Sequence, residues 1–323
     1  MASIKLKLLY LLDIFRELTD EGHRLNVPQL ADVLLERGIP AERKGIYRDI
    51  ETLTEYGYDI VRTSSGYYLG KREFEIWELR LLSSAVSAAS FVTGERAEQL
   101  TDKLSRFMSR YASRELLASS ISGVKCTNDE IYRTIELMNA AIADKRQVTF
   151  SYYKRDVNKR MVAQRSGQRY RVSPYAMIWS QDRYYLVCSV QEHDALTHFR
   201  LDRIRGVRID PQPARPFSEV SEYTGEFDIS DYAKKCVNMF GGKPRHITLR
   251  CAARLVDEML DRFGEDTPLV RDGDCFLCTV TASADGPGFY GWAAQYGGLV
   301  EVVSPPEVRA GMKEFLENAL NRY

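Results

Sequence analysis

The stretch ERKGIYRDIETL, residues 42–53, decides how the N-terminal part of this chain is read. Three basic and three acidic side chains share one helix-like run, which suits either a salt-bridged surface helix or a helix laid against DNA. Ile46, Ile50 and Leu53 recur at helical spacing and mark a buried stripe. On a helical wheel centred on Ile46, Lys44, Tyr47, Arg48, Glu51 and Glu55 take the polar face, with Arg43 on its flank in the first turn. The basic residues therefore gather in the N-terminal half and the acidic ones fall further along.

The neighbouring residues give this helix a context. Apolar residues at 4, 8, 11, 12, 15 and 18 predict an amphipathic helix over Ile4 to Leu18. A second helix is expected from Val27 to Arg37, with Asn26 as N-cap, Pro28 in its first turn and Gly38 as its stop. After the third helix, residues 59–63 and 67–69 are β-prone and are joined by Ser64-Ser65-Gly66. Three helices with a tight turn before the third, followed by a hairpin, predict a winged helix-turn-helix. A recognition helix inserts its N-terminal end into the major groove, where its dipole also favours phosphate. The expected contacts to double-stranded operator DNA are thus Arg43, Lys44, Tyr47 and Arg48, with Arg62 on the wing. Residues 1–70 nevertheless hold nine Lys and Arg against eleven Asp and Glu. Affinity must then come from a local basic patch and from pairing of two copies, so a homodimer is expected.

Beyond residue 70 the pattern is helical to about residue 118, and SSISGVKCTND (119–129) reads as a polar linker. Another amphipathic helix is expected over Glu130 to Lys145. From Val148 the period changes to two, through VTFSYY, QRYRVSPYAMIW, RYYLVCSV and LTHFRLDRIRGVRI, which predicts a small antiparallel barrel or sandwich. Pro211, Pro213 and Pro216 close it. From His246 onward strands and helices alternate as HITLRC, ARLVDEMLDRF, CFLCTVTA, YGWAAQYG, LVEVV and PEVRAGMKEFLENALNRY, an α+β arrangement.

The formal net charge of zero is a cancellation: residues 131–210 carry 15 Lys and Arg against 8 Asp and Glu, and residues 216–323 carry 11 against 17. The basic block suggests an anionic partner, although it would also suit the acidic segment of the same chain. Within it, alternation in THFRLDRI sets His198 and Arg200 on the face opposite Phe199 and Leu201. If Tyr184, Leu186 and Cys188 pack inward, Tyr185 and Ser189 join His198 and Arg200 as candidates for an exposed site. Arginine, tyrosine and histidine together offer charge-assisted bonds to phosphate and rings for base stacking. The alternative is solvated strand residues, with Arg200 and Arg203 paired to Asp202 or Asp182.

Several functions find no support. No GxxxxGK[ST], GxSxG or HExxH occurs, and no His/carboxylate set is spaced for chemistry, so no enzyme and no cofactor is expected. His193-Asp194 reads as a solvated turn. Of the six cysteines, only Cys275 and Cys278 form a CxxC, and it lies in a strand whose i and i+3 positions face opposite ways, so no metal site is expected. No apolar run is long enough to cross a membrane, and the start is amphipathic instead of a cleavable signal, which makes the cytoplasm the expected compartment.

ERKGIYRDI and SSGYYL, followed by SPYAMIWSQDRYYLVC, HFRLDRI and, near the end, GWAAQYGGLVEVVSPPEVRAGM, resemble the WYL-domain transcriptional regulators of bacteria over nearly the whole chain. The resemblance implies a multidomain α+β protein: a winged helix-turn-helix at 1–70, a helical linker and dimerisation region at 71–128, an Sm-like antiparallel β-barrel at 129–215 and a C-terminal α+β extension at 216–323. It also implies that the barrel senses a ligand, in several members single-stranded nucleic acid, and that the sensing positions are Tyr175, Tyr185, Ser189, His198, Arg200 and Arg203. A small anionic metabolite or a nucleotide is the alternative effector, since one nucleotide also satisfies two arginines. Two departures stand out. The name-giving Trp-Tyr-Leu is here Tyr184-Tyr185-Leu186, and Gly45 replaces the hydroxyl residue common in the recognition helix.

Overall fold

The computed structural model describes residues 4–113, 125–191, 195–221 and 227–323; His193-Asp194 and the first part of the expected linker lie outside the described residues. The chain divides into two compact units, Met1–Thr127 and Asn128–Tyr323.

In the first unit α1 (Ile4–Leu18), α2 (Val27–Glu36) and α3 (Arg43–Tyr56) precede a hairpin of β1 (Ile60–Arg62) and β2 (Tyr67–Leu69). Asn26 and Gln29 cap α2 reciprocally: the Asn26 side chain accepts from the Gln29 N–H at 3.0 Å, and the Gln29 side chain accepts from the Asn26 N–H at 2.8 Å. Gly57, with φ +116°, ends α3 in the left-handed region that glycine adopts without a steric penalty. Leu11, Ile14 and Phe15 of α1, Leu30 and Leu34 of α2, and Ile46, Ile50 and Leu53 of α3 share one core with Tyr67 and Leu69 of the hairpin. Each such side chain stabilises the unit by about 2 kcal/mol relative to exposure. The hairpin is pinned to the chain before α2, because Leu25 and Tyr67 exchange two backbone hydrogen bonds at 3.0 and 2.8 Å.

The helical stretch expected up to residue 118 is interrupted. α4 (Ile76–Ala88) and α5 (Gly94–Ser105) are separate helices. Lys125 Nζ donates to the carbonyls of Val86, Ser87 and Ala89, occupying acceptors that the end of α4 leaves open. Cys126 forms a β-bridge with Thr93.

In the second unit α6 (Glu130–Ala143) packs its Ile131, Thr134, Met138 and Ala141 face against a curled antiparallel sheet. The strand order is β4 (Met161–Ala163), β3 (Arg146–Arg155), β5 (Tyr170–Ser180), β6 (Arg183–Val190) and β7 (Leu196–Arg200), and β8 (Ile204–Pro213) pairs with β3. LTHFRLDRIRGVRI is thus two strands, parted by a turn at Leu201–Arg203. Val148, Phe150, Val172, Leu186, Cys188, Leu201 and Ile204 are buried inside the curl. Phe199 meets Phe150, Tyr152 and Tyr170 edge to face, with ring centroids 4.9–5.2 Å apart.

A short helix, α7 (Ile229–Lys235), leads into a second sheet of order β10-β11-β9-β12, made of β9 (Pro244–Ala252), β10 (Leu269–Asp272), β11 (Cys275–Ser283) and β12 (Val300–Ser304). α8 (Val256–Phe263), α9 (Pro287–Ala294) and α10 (Pro306–Leu320) contribute to its core. Strand alternation separates the CxxC as its period requires: Cys278 is buried, 4.0 Å from Cys251 Sγ to Sγ, and Cys275 is half-buried. The sequence pattern does not announce α7, β10 or β4. These elements have seven, four and three residues, too few for a period to show.

Candidate nucleic-acid and ligand sites

The first candidate surface lies on α3. Arg43, Lys44, Tyr47 and Arg48 are all exposed, and Arg62 is exposed on β1, its guanidinium 5.9 Å from the centre of the Tyr67 ring. No side chain caps the start of α3, so its first-turn amides remain open to an acceptor. Gly45 lies beside an ion pair between two helices. Lys7 of α1 reaches across to Asp49 of α3 at 2.7 Å, and a Cβ at residue 45 would stand 2.9 Å from the same Nζ. Arg24 is not among the residues expected from the sequence. Its guanidinium lies 3.1 Å from Ser65 Oγ at the hairpin tip and over the Tyr68 ring. It precedes α2 in sequence, and only the Leu25–Tyr67 pairing brings it there.

The second candidate surface is the β6–β7 face. Tyr185 pairs with Arg200 and Val187 with His198, so Tyr185, His198 and Arg200 share one side of the sheet. The expected exposure of that side is only partly found. Val187, Ala176 and Ile178 pack against Tyr232, Cys236 and Met239, and Ser189 is 2% exposed. β6 is covered on both faces from Leu186 to Val190, so alternation does not leave Ser189 solvated as it would on a sheet with one open face.

The remaining candidates are already engaged. His198 Nε2 lies 2.8 Å from the Tyr232 hydroxyl, and burial takes the imidazole down to about 4, opposed by a backbone hydrogen bond to Met239. Arg200 forms a fork on Asp202 with contacts of 3.0 and 2.7 Å. Burial works against its charge, but the Asp202 carboxylate outweighs this and holds Arg200 above its usual value. Arg203 is half-buried and hydrogen-bonds Tyr152, whose hydroxyl oxygen also accepts the Arg200 N–H at 3.3 Å. Burial raises the Tyr152 phenol while these neighbours pull it down. Tyr175 is the extra residue where β5 slips against β6 between Pro174 and Ala176. It turns away to meet Phe217 edge to face at 5.0 Å and donates to the Arg215 carbonyl at 3.0 Å. The structure thus gathers Tyr185, Arg200 and Arg203 around Tyr152, places His198 under α7, and sets Tyr175 and Ser189 apart.

Beside Tyr232 a cleft of about 1000 Å³ opens between the start of β7 and the second sheet. Lys243, His246 and Asp285 are among its lining residues.

Residues 133–209, the span of α6 and the curled sheet, match the WYL domain, and residues 243–320, the second sheet with its helices, match the WCX domain. The chain carries a WYL domain and a WCX domain. Among solved structures it is similar to proteasome accessory factor B/C (PafBC) of Arthrobacter aurescens, at 19% identity over 99% of this chain and 49% of that chain, with a TM-score of 0.29. A structure described as a CRISPR Cas-related protein is 14% identical over 76% of this chain and 72% of its own, with a TM-score of 0.37. The chain spans about half the length of the PafBC chain. No curated protein matches the sequence. The cleft lies where the WYL domain's β7 faces β9 and β11 of the WCX domain. The +7 balance of residues 131–210 falls almost wholly within the WYL domain. Among the described residues no His, Cys, Asp and Glu cluster could hold a metal ion, and no helix is long and apolar enough to cross a membrane.

Proposed function

We propose that this protein is a DNA-binding transcriptional regulator whose WYL domain senses an anionic ligand, in the first place single-stranded nucleic acid, and so modulates operator binding. On this reading residues 1–70 are a winged helix-turn-helix, residues 71–128 link it to its partner copy, residues 129–215 are an Sm-like sensing barrel and residues 216–323 extend it. The protein acts by binding and not by catalysis. The observation that carries the reading is α3: a helix anchored by Ile46, Ile50 and Leu53 that turns Arg43, Lys44, Tyr47 and Arg48 outward beside a β-hairpin bearing Arg62. The WYL domain supports a regulatory role. Two copies read an inverted repeat with half-sites about one helical turn apart.

The test is selection of bound duplexes from a random pool, followed by affinity measurements on the winner. Arg43→Ala and Lys44→Ala lower operator affinity without unfolding the chain; unchanged affinity in both removes α3 from the role. The sensing half is tested by adding short single strands to the operator complex, which shifts its affinity. A second effector, a small anionic metabolite, has a concave place beside Tyr232, where Lys235, Lys243 and His246 stand among Glu219, Asp231 and Asp285. It takes the place of nucleic acid if it shifts operator affinity and the single strands do not.

A further inference from the structure

The basic excess of the WYL domain has a position on the fold that its alternation hides. Thr149 of β3 pairs with Arg208 of β8, and Ser151 with Arg205, so β8 advances three residues while β3 advances two. Gly206, at φ +60°, takes up the extra residue as a bulge in the left-handed region that glycine adopts without a Cβ clash. In a regular strand Arg205 and Arg208 would point to opposite faces. The bulge sets both on the face of Thr149 and Ser151, away from buried Val148 and Phe150.

β5 completes the row from the other side. Arg171 pairs with Thr149, and Arg169 lies just before the strand. The Arg169 guanidinium reaches back over β3 to Thr149 O at 2.8 Å, Thr149 Oγ1 at 3.2 Å and the Gly206 carbonyl. Arg205 donates to the carbonyls of Asp202 and Ile204. The nearby carboxylates are Asp210, 3.3 Å from Arg171, and Glu130, which accepts the Gly206 N–H at 3.1 Å. Among the described residues no carboxylate pairs with Arg169, Arg205 or Arg208, and the Arg208 side chain makes no hydrogen bond. Four guanidiniums thus face solvent or neutral acceptors with one direct acidic partner. The crowding is felt at Arg169, whose pKa is lowered first by burial and then by the charge of Arg208.

We propose that the β5–β3–β8 face, through Arg169, Arg171, Arg205 and Arg208, binds the phosphodiester backbone of single-stranded nucleic acid. The inference rests on the reading that the WYL domain senses nucleic acid, and assigns the backbone contact to a face other than that of Tyr185 and Arg200. Guanidinium forks match phosphate oxygens in pairs, and the Thr149 and Ser151 hydroxyls add donors between them. A single strand is the fitting form. Three adjacent strands with arginines on the outer two span about 10 Å between backbones before side chains are counted, wider than the two-stranded ribbon that a major groove about 12 Å wide admits.

The test uses the full chain and a fluorescent 12-nucleotide single strand, titrated by anisotropy over a range of salt. Arg208→Glu is the clean variant, because that side chain holds nothing in place. It is expected to weaken single-strand binding at least tenfold and to reduce the salt slope by about 0.7 for each phosphate no longer neutralised, with operator affinity unchanged. Arg169→Ala moves in the same direction. Wild-type binding in both variants, with binding abolished in Arg200→Ala, overturns this face and leaves the sensing reading standing. A wild-type chain that binds no single strand overturns both. An equal loss for non-specific duplex overturns the assignment to single strands.

Discussion

His198 Nε2 lies 2.8 Å from the Tyr232 hydroxyl, a contact that joins β7 of the WYL domain to the helix α7 that covers it. A neutral imidazole protonated at Nδ1 accepts the Tyr232 O–H at Nε2, whereas an imidazolium cannot. Burial holds this histidine at about 4, below the 6.5 it has in an unfolded chain. Between those two values the unfolded state binds the extra proton, so the contribution to stability is fully present above pH 6.5 and is lost as pH falls towards 4. The whole loss amounts to about 3 kcal/mol at most. Denaturant midpoints at pH 7.5 and 4.5 are expected to differ more for the wild type than for His198→Gln; equal differences refute the assignment. Tyr232→Phe costs about 1 kcal/mol at pH 7.5, since it leaves the ring nitrogen without its donor.

Gly66 admits no side chain. Its φ is +147°, and a Cβ there would lie 2.6 Å from the Leu25 carbonyl carbon and 2.9 Å from Asn26 N. Gly66→Ala must either push the hairpin off the Leu25 bridge or shift the cap of α2, at a cost of about 1–3 kcal/mol. Thermal unfolding reads the loss, and operator affinity falls with it because Arg62 rides on the same hairpin.

Arg72 clasps the end of α1. Its guanidinium donates to Arg16 O at 2.9 Å and to Thr19 O at 2.6 Å, carbonyls that the helix itself leaves unpaired. Arg72→Ala is expected to destabilise the first unit by about 2–3 kcal/mol, measured by urea denaturation. Arg72→Lys recovers less than half, because an ammonium cannot span both acceptors in the plane of a guanidinium.

On the proposed reading, Arg43 and Arg62 are expected to differ in what they read. A first-turn residue on α3 that meets a base edge discriminates by about 1–3 kcal/mol at one position, so Arg43→Ala relaxes specificity there. If Arg62 on the hairpin touches backbone, Arg62→Ala is expected to weaken every sequence alike while lowering the duplex salt slope by about 0.9. Affinities on the operator and on single-base variants at two salt concentrations separate the two; a uniform loss from Arg43→Ala assigns it to phosphate instead.

Helices α1, α2 and α3 are legible in the sequence because their determinants are local. Asn26 and Gln29 are three residues apart and cap α2 whatever surrounds them, and Ile46, Ile50 and Leu53 mark a face that any partner would bury. The inward set of β6 and the opposed cysteines of β11 follow from strand period in the same way. The outward set of β6 does not. Its cover, Tyr232, Cys236 and Met239, lies more than 40 residues along the chain, and α7 is too short to announce itself.

The sequence by itself determined the helices α1, α2 and α3, the period of the strands and the concentration of basic charge in residues 131–210, because each depends on side chains a few positions apart. The tertiary structure alone decided which of those charges stay available. Arg200 is matched by Asp202 across a turn and His198 is enclosed by Tyr232, whereas the bulge at Gly206 turns Arg205 and Arg208 to the same face as Arg171, which lies on the other side of β3. A strand's faces are set by its register with its neighbours, and one inserted residue reverses every side chain beyond it.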